Sequence, residues 1–243
     1  MKERTTWYST RVERDVKLAR WGSYGTPVLV FPTAGGDYEE IERFHLVGAV
    51  GELLDAGRVK VYSCDSVNGR VLLAQEGDAG RRTYLLNQFL EYVRWEVVPA
   101  IRADCESPEI EIITSGASIG AYNALAVLCR WPDVFRAAIC MSGTYDLARF
   151  VEGPIDDNFR AASPLHFLPT LDEDGALLQR LRTRSVVLAC GEGPNEDIGE
   201  SWRVAHELGS RGIPNRVDSW GPDWPHDWQT WRHMLPQYLD EYL

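Results

Sequence analysis

No run in this chain approaches the ~18 apolar residues that a membrane-crossing helix needs. A membrane partner is therefore not expected. Positive charge is also scarce. Lys and Arg number 25 against 36 Asp and Glu, for a net charge of −11. Binding a polyanion needs clustered cations that displace counterions, so nucleic acid is not an expected partner. The acidity reads as solubility. Cysteines are few and odd in number: Cys64, Cys105, Cys129, Cys140 and Cys190, with no C-x-x-C pair. Four of them sit in or beside apolar strand or helix runs, which reads as reduced, buried thiols. The first residues, Met1 to Trp7, carry no apolar h-region of a secretory leader. The expectation is a cytoplasmic protein. Internal repeats, linkers and low-complexity segments are absent as well.

What is present suits one α/β domain. The chain has 243 residues, 44% of them apolar, enough for a large core without a covalent staple. Strand-like and helix-like segments alternate, which predicts a doubly wound, mostly parallel sheet with helices on both faces. Trp7–Val12 and Val16–Trp21 read as an antiparallel edge pair. Val28–Phe31 is a continuous apolar run, as in a strand buried on both faces. Residues 39–57 have helical spacing, and residues 66–80 read as a glycine-rich loop. Between Arg82 and Ile101 the apolar positions recur every three or four residues, which predicts one long amphipathic helix. Residues 143–183, with several prolines, read as a partly helical excursion above the sheet.

The most informative stretch is Ile112 to Leu125. A β-branched run leads into Gly116-Ala117-Ser118-Ile119-Gly120, and good helix formers follow. Strand, sharp turn and helix with a serine at the apex is the G-x-S-x-G nucleophile elbow. The turn strains the serine, and a Cβ two residues to either side would clash, so glycine is wanted at both places. The hydroxyl would stand at a helix N-terminus, where developing negative charge is favoured. The bland alternative is a serine that merely caps the helix.

A nucleophile of this type needs a base and an acid. Serine is a poor nucleophile at neutral pH, and a histidine can take its proton and return it to the leaving group. A carboxylate must orient the imidazole and stabilise its charged form. His226 is the histidine in a loop after the last strand, whereas His45, His206 and His233 fall in predicted helices, and His166 reads as structural. Three acids, Glu192, Glu196 and Asp197, share the loop after the preceding strand, and position along the chain does not separate them. Pro32-Thr33-Ala34-Gly35-Gly36 follows the buried strand 28–31 and could supply a backbone N–H for an oxyanion. Ala34 is favoured there and Thr33 is next, with the N–H of Ile119 as the second donor. Asp65, at a strand end, reads as a loop anchor. Asp37, Tyr38, Trp224 and Trp228 could touch substrate, although aromatic loop residues more often pack loops.

The chain resembles the putative-esterase family of α/β-hydrolases, which includes mycolyltransferases, S-formylglutathione hydrolases, enterobactin esterases and feruloyl esterases. The resembling residues are G-A-S-I-G at 116–120, C-G-E-G-P-N-E at 190–196 and H-D-W-Q-T-W at 226–231. The last two look most like mycolyltransferase loops, whose acid is the glutamate closing the first and whose base is the histidine opening the second. The resemblance thus implies an α/β-hydrolase fold, Glu196 as acid and His226 as base beside Ser118. It departs at Pro32-Thr33-Ala34-Gly35, where mycolyltransferases have D-G-L-R, and at Ile119, where the family usually has methionine. Mycolate and trehalose do not carry over. The implied activity is hydrolysis of a small carboxylic ester through an acyl-enzyme, with neither metal nor cofactor. Acyl transfer to another alcohol and a non-catalytic binding protein are the alternatives. The sequence leaves open whether copies of the chain assemble.

Overall fold

The β-branched and apolar runs become strands that share one sheet. The computed structural model describes residues 2–243. In chain order the strands are β1 (Lys2–Ser9), β2 (Arg14–Trp21), β3 (Thr26–Phe31), β4 (Val59–Cys64), β5 (Ile112–Ala117), β6 (Phe135–Met141), β7 (Ser185–Cys190) and β8 (Asn215–Ser219). Across the sheet they run β1-β2-β4-β3-β5-β6-β7-β8. The pairs β1–β2 and β2–β4 are antiparallel, and the other neighbouring pairs are parallel. This is the α/β-hydrolase architecture that the sequence leads one to expect.

Alternation along the strands separates two cores. Leu29, Phe31 and Ile112 point into one apolar cluster, while Val28, Val30 and Ile113 point into the other. Successive strand side chains face opposite sides of a sheet, so helices must cover both. After the loop that follows β3 come three short helices, α1 (Glu40–Arg43), α2 (Leu46–Ala49) and α3 (Gly51–Asp55). The single helical spacing of residues 39–57 is therefore broken, and His45 takes a left-handed conformation between the first two pieces.

Residues 66–80 are not a plain loop. They hold α4 (Val67–Ala74) and the start of α5 (Ala79–Tyr92). Gly69 reads as a helix breaker, yet it is required by contact. A Cβ there would lie 2.7 Å from the Ala34 carbonyl oxygen. The long helix expected over 82–101 is divided. After α5, a π-helical turn at Val93–Val97 precedes α6 (Val98–Asp104). At that turn Glu96 accepts hydrogen bonds from Trp7 Nε1 (2.7 Å) and Ser9 Oγ (2.9 Å), which tie the helix to the sheet edge.

Helix α7 (Ile119–Arg130) is buried from Ile119 through Cys129 and packs on β3, β5 and β6. A helix apolar on every side is a core element. Truncating Leu125 or Leu128 to Ala is expected to cost about 2–5 kcal/mol. The excursion after β6 carries α8 (Ala148–Val151), α9 (Asp157–Ala162), α10 (Pro164–Phe167) and α11 (Ala176–Leu181). Two amphipathic helices finish the chain, α12 (Ile198–Ser210) and α13 (Trp228–Tyr242). Among the described residues no helix is long and apolar enough to cross a membrane.

The topology places the site. After β3 the chain moves to β4 on one side, then returns to lay β5 on the other side of β3. Ligands in open α/β sheets bind in the crevice opened by such a reversal, beyond the strands' C-terminal ends. The segments 32–36 and 118–120 leave β3 and β5 at that crevice.

Candidate active site

Ser118 occupies the apex between β5 and α7 with φ 57° and ψ −122°. A non-glycine residue there stores about 1–3 kcal/mol of backbone strain. The surroundings hold it in place. Its N–H donates to the Met141 carbonyl (3.0 Å), and its carbonyl accepts from Ala121 N–H (3.1 Å) and Thr144 N–H (3.2 Å). Both flanking glycines are demanded by space. A Cβ on Gly116 would lie 2.4 Å from the backbone of Gly120, and one on Gly120 would lie 2.5 Å from the Phe31 carbonyl oxygen. Ile119 is the first residue of α7, so its N–H has no acceptor within the helix and points out of the helix start.

The loop after β3 is set by a buried carboxylate. Glu40 accepts from Thr33 N–H (2.7 Å) and Thr33 Oγ1 (2.8 Å). Burial pushes the Glu40 carboxyl above its ordinary pKa, against the lowering effect of those two hydrogen bonds. Gly36 has no side chain because one would collide with Glu40. The Thr33 N–H is thus already committed to Glu40, which counts against Thr33 as the alternative to Ala34 for the loop donor. Ala34, the next residue, lines a cleft together with Ser118 and Ile119.

The loops that carry Glu196 and His226 meet at the same edge. His226 Nδ1 lies 3.2 Å from Glu196 Oε2. The Glu196 side chain is 1% exposed and that of His226 is 23% exposed. Oε1 of Glu196 accepts from Ser142 Oγ at 2.5 Å, and the Cys190 thiol lies 3.4 Å from Oε2. Burial opposes ionisation of Glu196, but the hydrogen bonds from His226 and Ser142 outweigh it and hold the carboxyl below its ordinary pKa. Trp231 donates from Nε1 to Ser142 Oγ (2.9 Å) and meets the His226 ring edge to face at 5.1 Å.

Of the three acids in that loop, only Glu196 faces the histidine. Asp197 caps α12 through Gly199 N–H (3.0 Å), and Glu192 pairs with the Ser219 hydroxyl. The glycines of the loop have a packing reason. A Cβ on Gly191 would lie 1.9 Å from the Trp224 carbonyl oxygen, and Gly193 N–H donates to that oxygen at 3.1 Å. The backbone N–H of His226 in turn donates to the Pro194 carbonyl at 3.0 Å. The two loops are laced together before their side chains meet.

Ser118 joins this pair through β6. Met141 takes its N–H, and the next residue, Ser142, holds Glu196. Among the described residues no hydrogen bond runs from Ser118 Oγ to His226, a contact that often tightens only when substrate is bound.

This chain belongs to the Putative esterase family. The family model matches residues 55–242. No curated protein matches the esterase significantly by sequence. Among solved structures it is similar to a ferulic acid esterase, at 17% identity and a TM-score of 0.74, covering 100% of this chain and 99% of that one. It is also similar to an S-formylglutathione hydrolase from Agrobacterium tumefaciens, at 12% identity and a TM-score of 0.75, covering 100% and 94%. A third similar structure is MPT51 from Mycobacterium tuberculosis, at 17% identity and a TM-score of 0.72, covering 99% and 97%. At these identities the likeness establishes the fold.

The residues expected as weaker substrate contacts in this esterase also make contacts within the protein. Asp37 accepts from Glu39 N–H (2.9 Å) and Arg43 (2.7 Å). Tyr38 is buried, with Arg4 donating to its hydroxyl at 3.3 Å. Asp37 Oδ1 and the Tyr38 hydroxyl are thus engaged within the protein, where they support the loop. Trp228 stacks on Phe44 at 4.7 Å and meets Trp231 edge to face at 5.0 Å, so it too packs the esterase's loops. Asp65 anchors as expected, accepting from Lys17 N–H, Tyr38 N–H and Arg70. Cys190 is buried and its thiol pKa is pushed up, which disfavours a thiolate nucleophile.

Sequence reasoning overlooked Ser142 as the second partner of Glu196. A Ser-Gly pair directly after a strand at the ligand edge was the available signal. It also overlooked α4 as a cleft wall, because residues 66–80 read as a loop.

Proposed function

We propose that this esterase hydrolyses small carboxylic esters through an acyl-enzyme, with Ser118 as nucleophile, His226 as base and Glu196 as the orienting acid. Ser118 Oγ attacks the ester carbonyl carbon and its proton passes to His226 Nε2. The Nδ1 side is taken by Glu196, which leaves Nε2 as the ring nitrogen to serve the nucleophile. The N–H groups of Ala34 and Ile119 hold the oxyanion. The intermediate collapses by breaking the bond to the leaving alkoxide, which takes the proton from His226. A water molecule then repeats the cycle on the acyl-serine and releases the acid. Five free thiols suit a reducing compartment such as the cytoplasm.

The observation that carries this reading is the His226–Glu196 pair at the sheet edge where strained Ser118 stands. The test is labelling with a fluorophosphonate probe followed by peptide mass spectrometry, with Glu196→Gln and Asp197→Asn variants alongside. The expected result is an adduct on Ser118 whose rate of formation falls with Glu196→Gln and not with Asp197→Asn. A folded protein that takes no adduct would overturn the proposal.

A further inference from the structure

Ser118, Ile119 and Ala34 form one wall of a cleft of about 140 Å³, closed by Leu72, Leu73, Leu147 and Phe150. Gly69 and Thr144 complete it, and no charged side chain lines it. His226 is not part of its lining. The leaving alcohol must collect its proton from His226, so that half of the ester lies on the histidine side. The half that stays on Ser118 lies in the cleft. Resting on the proposed acyl-enzyme, we propose that the cleft is the acyl site and that it selects short, uncharged acyl groups of about six carbons or a single small ring. A dry cavity of about this size holds one benzene molecule.

The size of the cleft is held by hydrogen bonds, so that it does not readily widen. Gln75 Nε2 donates to the Leu72 carbonyl (2.9 Å) on α4 and to the Phe150 carbonyl (3.0 Å) on α8, bridging the two walls. Arg82 donates from Nε and Nη2 to the Val151 carbonyl at 3.0 and 2.6 Å. Leu147 is fully buried behind the cleft. Leu73 is 59% exposed and marks the mouth, beyond which a longer chain would return to water. Inside the cleft each added methylene is worth about fourfold in kcat/KM, and beyond it the gain ends.

The experiment is a series of p-nitrophenyl esters from acetate to decanoate, assayed on the wild-type protein and on Phe150→Ala and Leu73→Ala. Fluorophosphonate labelling of Ser118 is run in parallel. The expected result is a kcat/KM that rises through about hexanoate and then levels or falls. Phe150→Ala should raise the decanoate-to-butanoate ratio at least tenfold. Leu73→Ala, at the exposed mouth, supplies the same test if Phe150→Ala fails to fold. Hydrolysis through Ser118 whose kcat/KM keeps climbing to decanoate would overturn the acyl-size inference alone, as would a chain-length profile that neither variant changes. Absence of turnover together with absence of label on Ser118 would overturn the acyl-enzyme reading, and the inference with it.

Discussion

Ser142 Oγ lies 2.5 Å from Glu196 Oε1, on the opposite oxygen from the one that faces His226. One carboxylate is therefore held from both sides, and Trp231 completes the chain by donating to Ser142. Hydrogen bonds to a charged group are worth about 1.5–3 kcal/mol. Ser142→Ala should lower kcat/KM by roughly ten- to a hundredfold while leaving Ser118 in place. Removing the bond raises the Glu196 pKa towards its ordinary value or above, so the acid limb of the kcat/KM profile should move to higher pH. A pH–rate profile on wild type and variant measures this. An unmoved acid limb would mean that Ser142 only fills space.

Ser118 separates chemistry from stability. Ser118→Ala should reduce kcat by several orders of magnitude. Alanine keeps the strain of a positive φ, but glycine removes it. Ser118→Gly should therefore be more stable than Ser118→Ala by about 1 kcal/mol while equally inactive. Urea midpoints of the two variants give the comparison, and equal midpoints would show that the turn is not strained.

Gly69 couples α4 to the loop of Ala34. Gly69→Ala forces a Cβ to within 2.8 Å of Ala34 Cα and 2.5 Å of Ser66 Oγ. Backbone atoms cannot yield as a long side chain can. The Ala34 N–H should be displaced from the oxyanion, and the loss of one such donor costs about 10²–10³ in kcat. Steady-state kinetics should show the loss in kcat rather than in KM. A change confined to KM would remove Ala34 from the oxyanion site.

Glu196 also makes stability depend on pH. Its carboxyl pKa is lowered by folding. A group of that kind contributes stability above its unfolded pKa and loses it as pH falls through the folded pKa. Glu196→Gln should therefore flatten the decline of the urea midpoint below about pH 4–5, the ordinary carboxylate range. Chemical denaturation across pH 3–7 measures it. A decline as steep as that of the wild type would place the acid sensitivity elsewhere.

Much of this was legible along the chain, for local reasons. Gly116 marks a turn because the collision it avoids, with the Gly120 backbone, lies within five residues, whereas the one Gly120 avoids is with the end of β3 at Phe31. The Val28–Phe31 run marks a central strand because burial on both faces leaves no polar position. The interiors of residues 39–57 and 66–80 were less legible. The helix through Gly69 is explained by the approach of Ala34, a contact across 35 positions of sequence that no local pattern records. The π-helical turn at Val93–Val97 has the same character, since it coincides with the bonds from Glu96 to β1.

The site divides in the same way. The sequence by itself determined which residue types stand at the ends of β5, β7 and β8: a serine in a two-glycine turn, a loop with three acids, and a histidine after the last strand. Among those three acids the resemblance pointed to Glu196, and the tertiary structure puts Glu196 against His226 and sets the other two to capping α12 and pairing with Ser219. Only the tertiary structure committed the Thr33 N–H to Glu40, brought Ser142 to Glu196 and gave the cleft beside Ser118 its size. The physical reason is range. Backbone strain and strand burial are written in neighbouring residues, whereas hydrogen-bond partners and the volume between helices depend on where segments far apart in the chain come to rest.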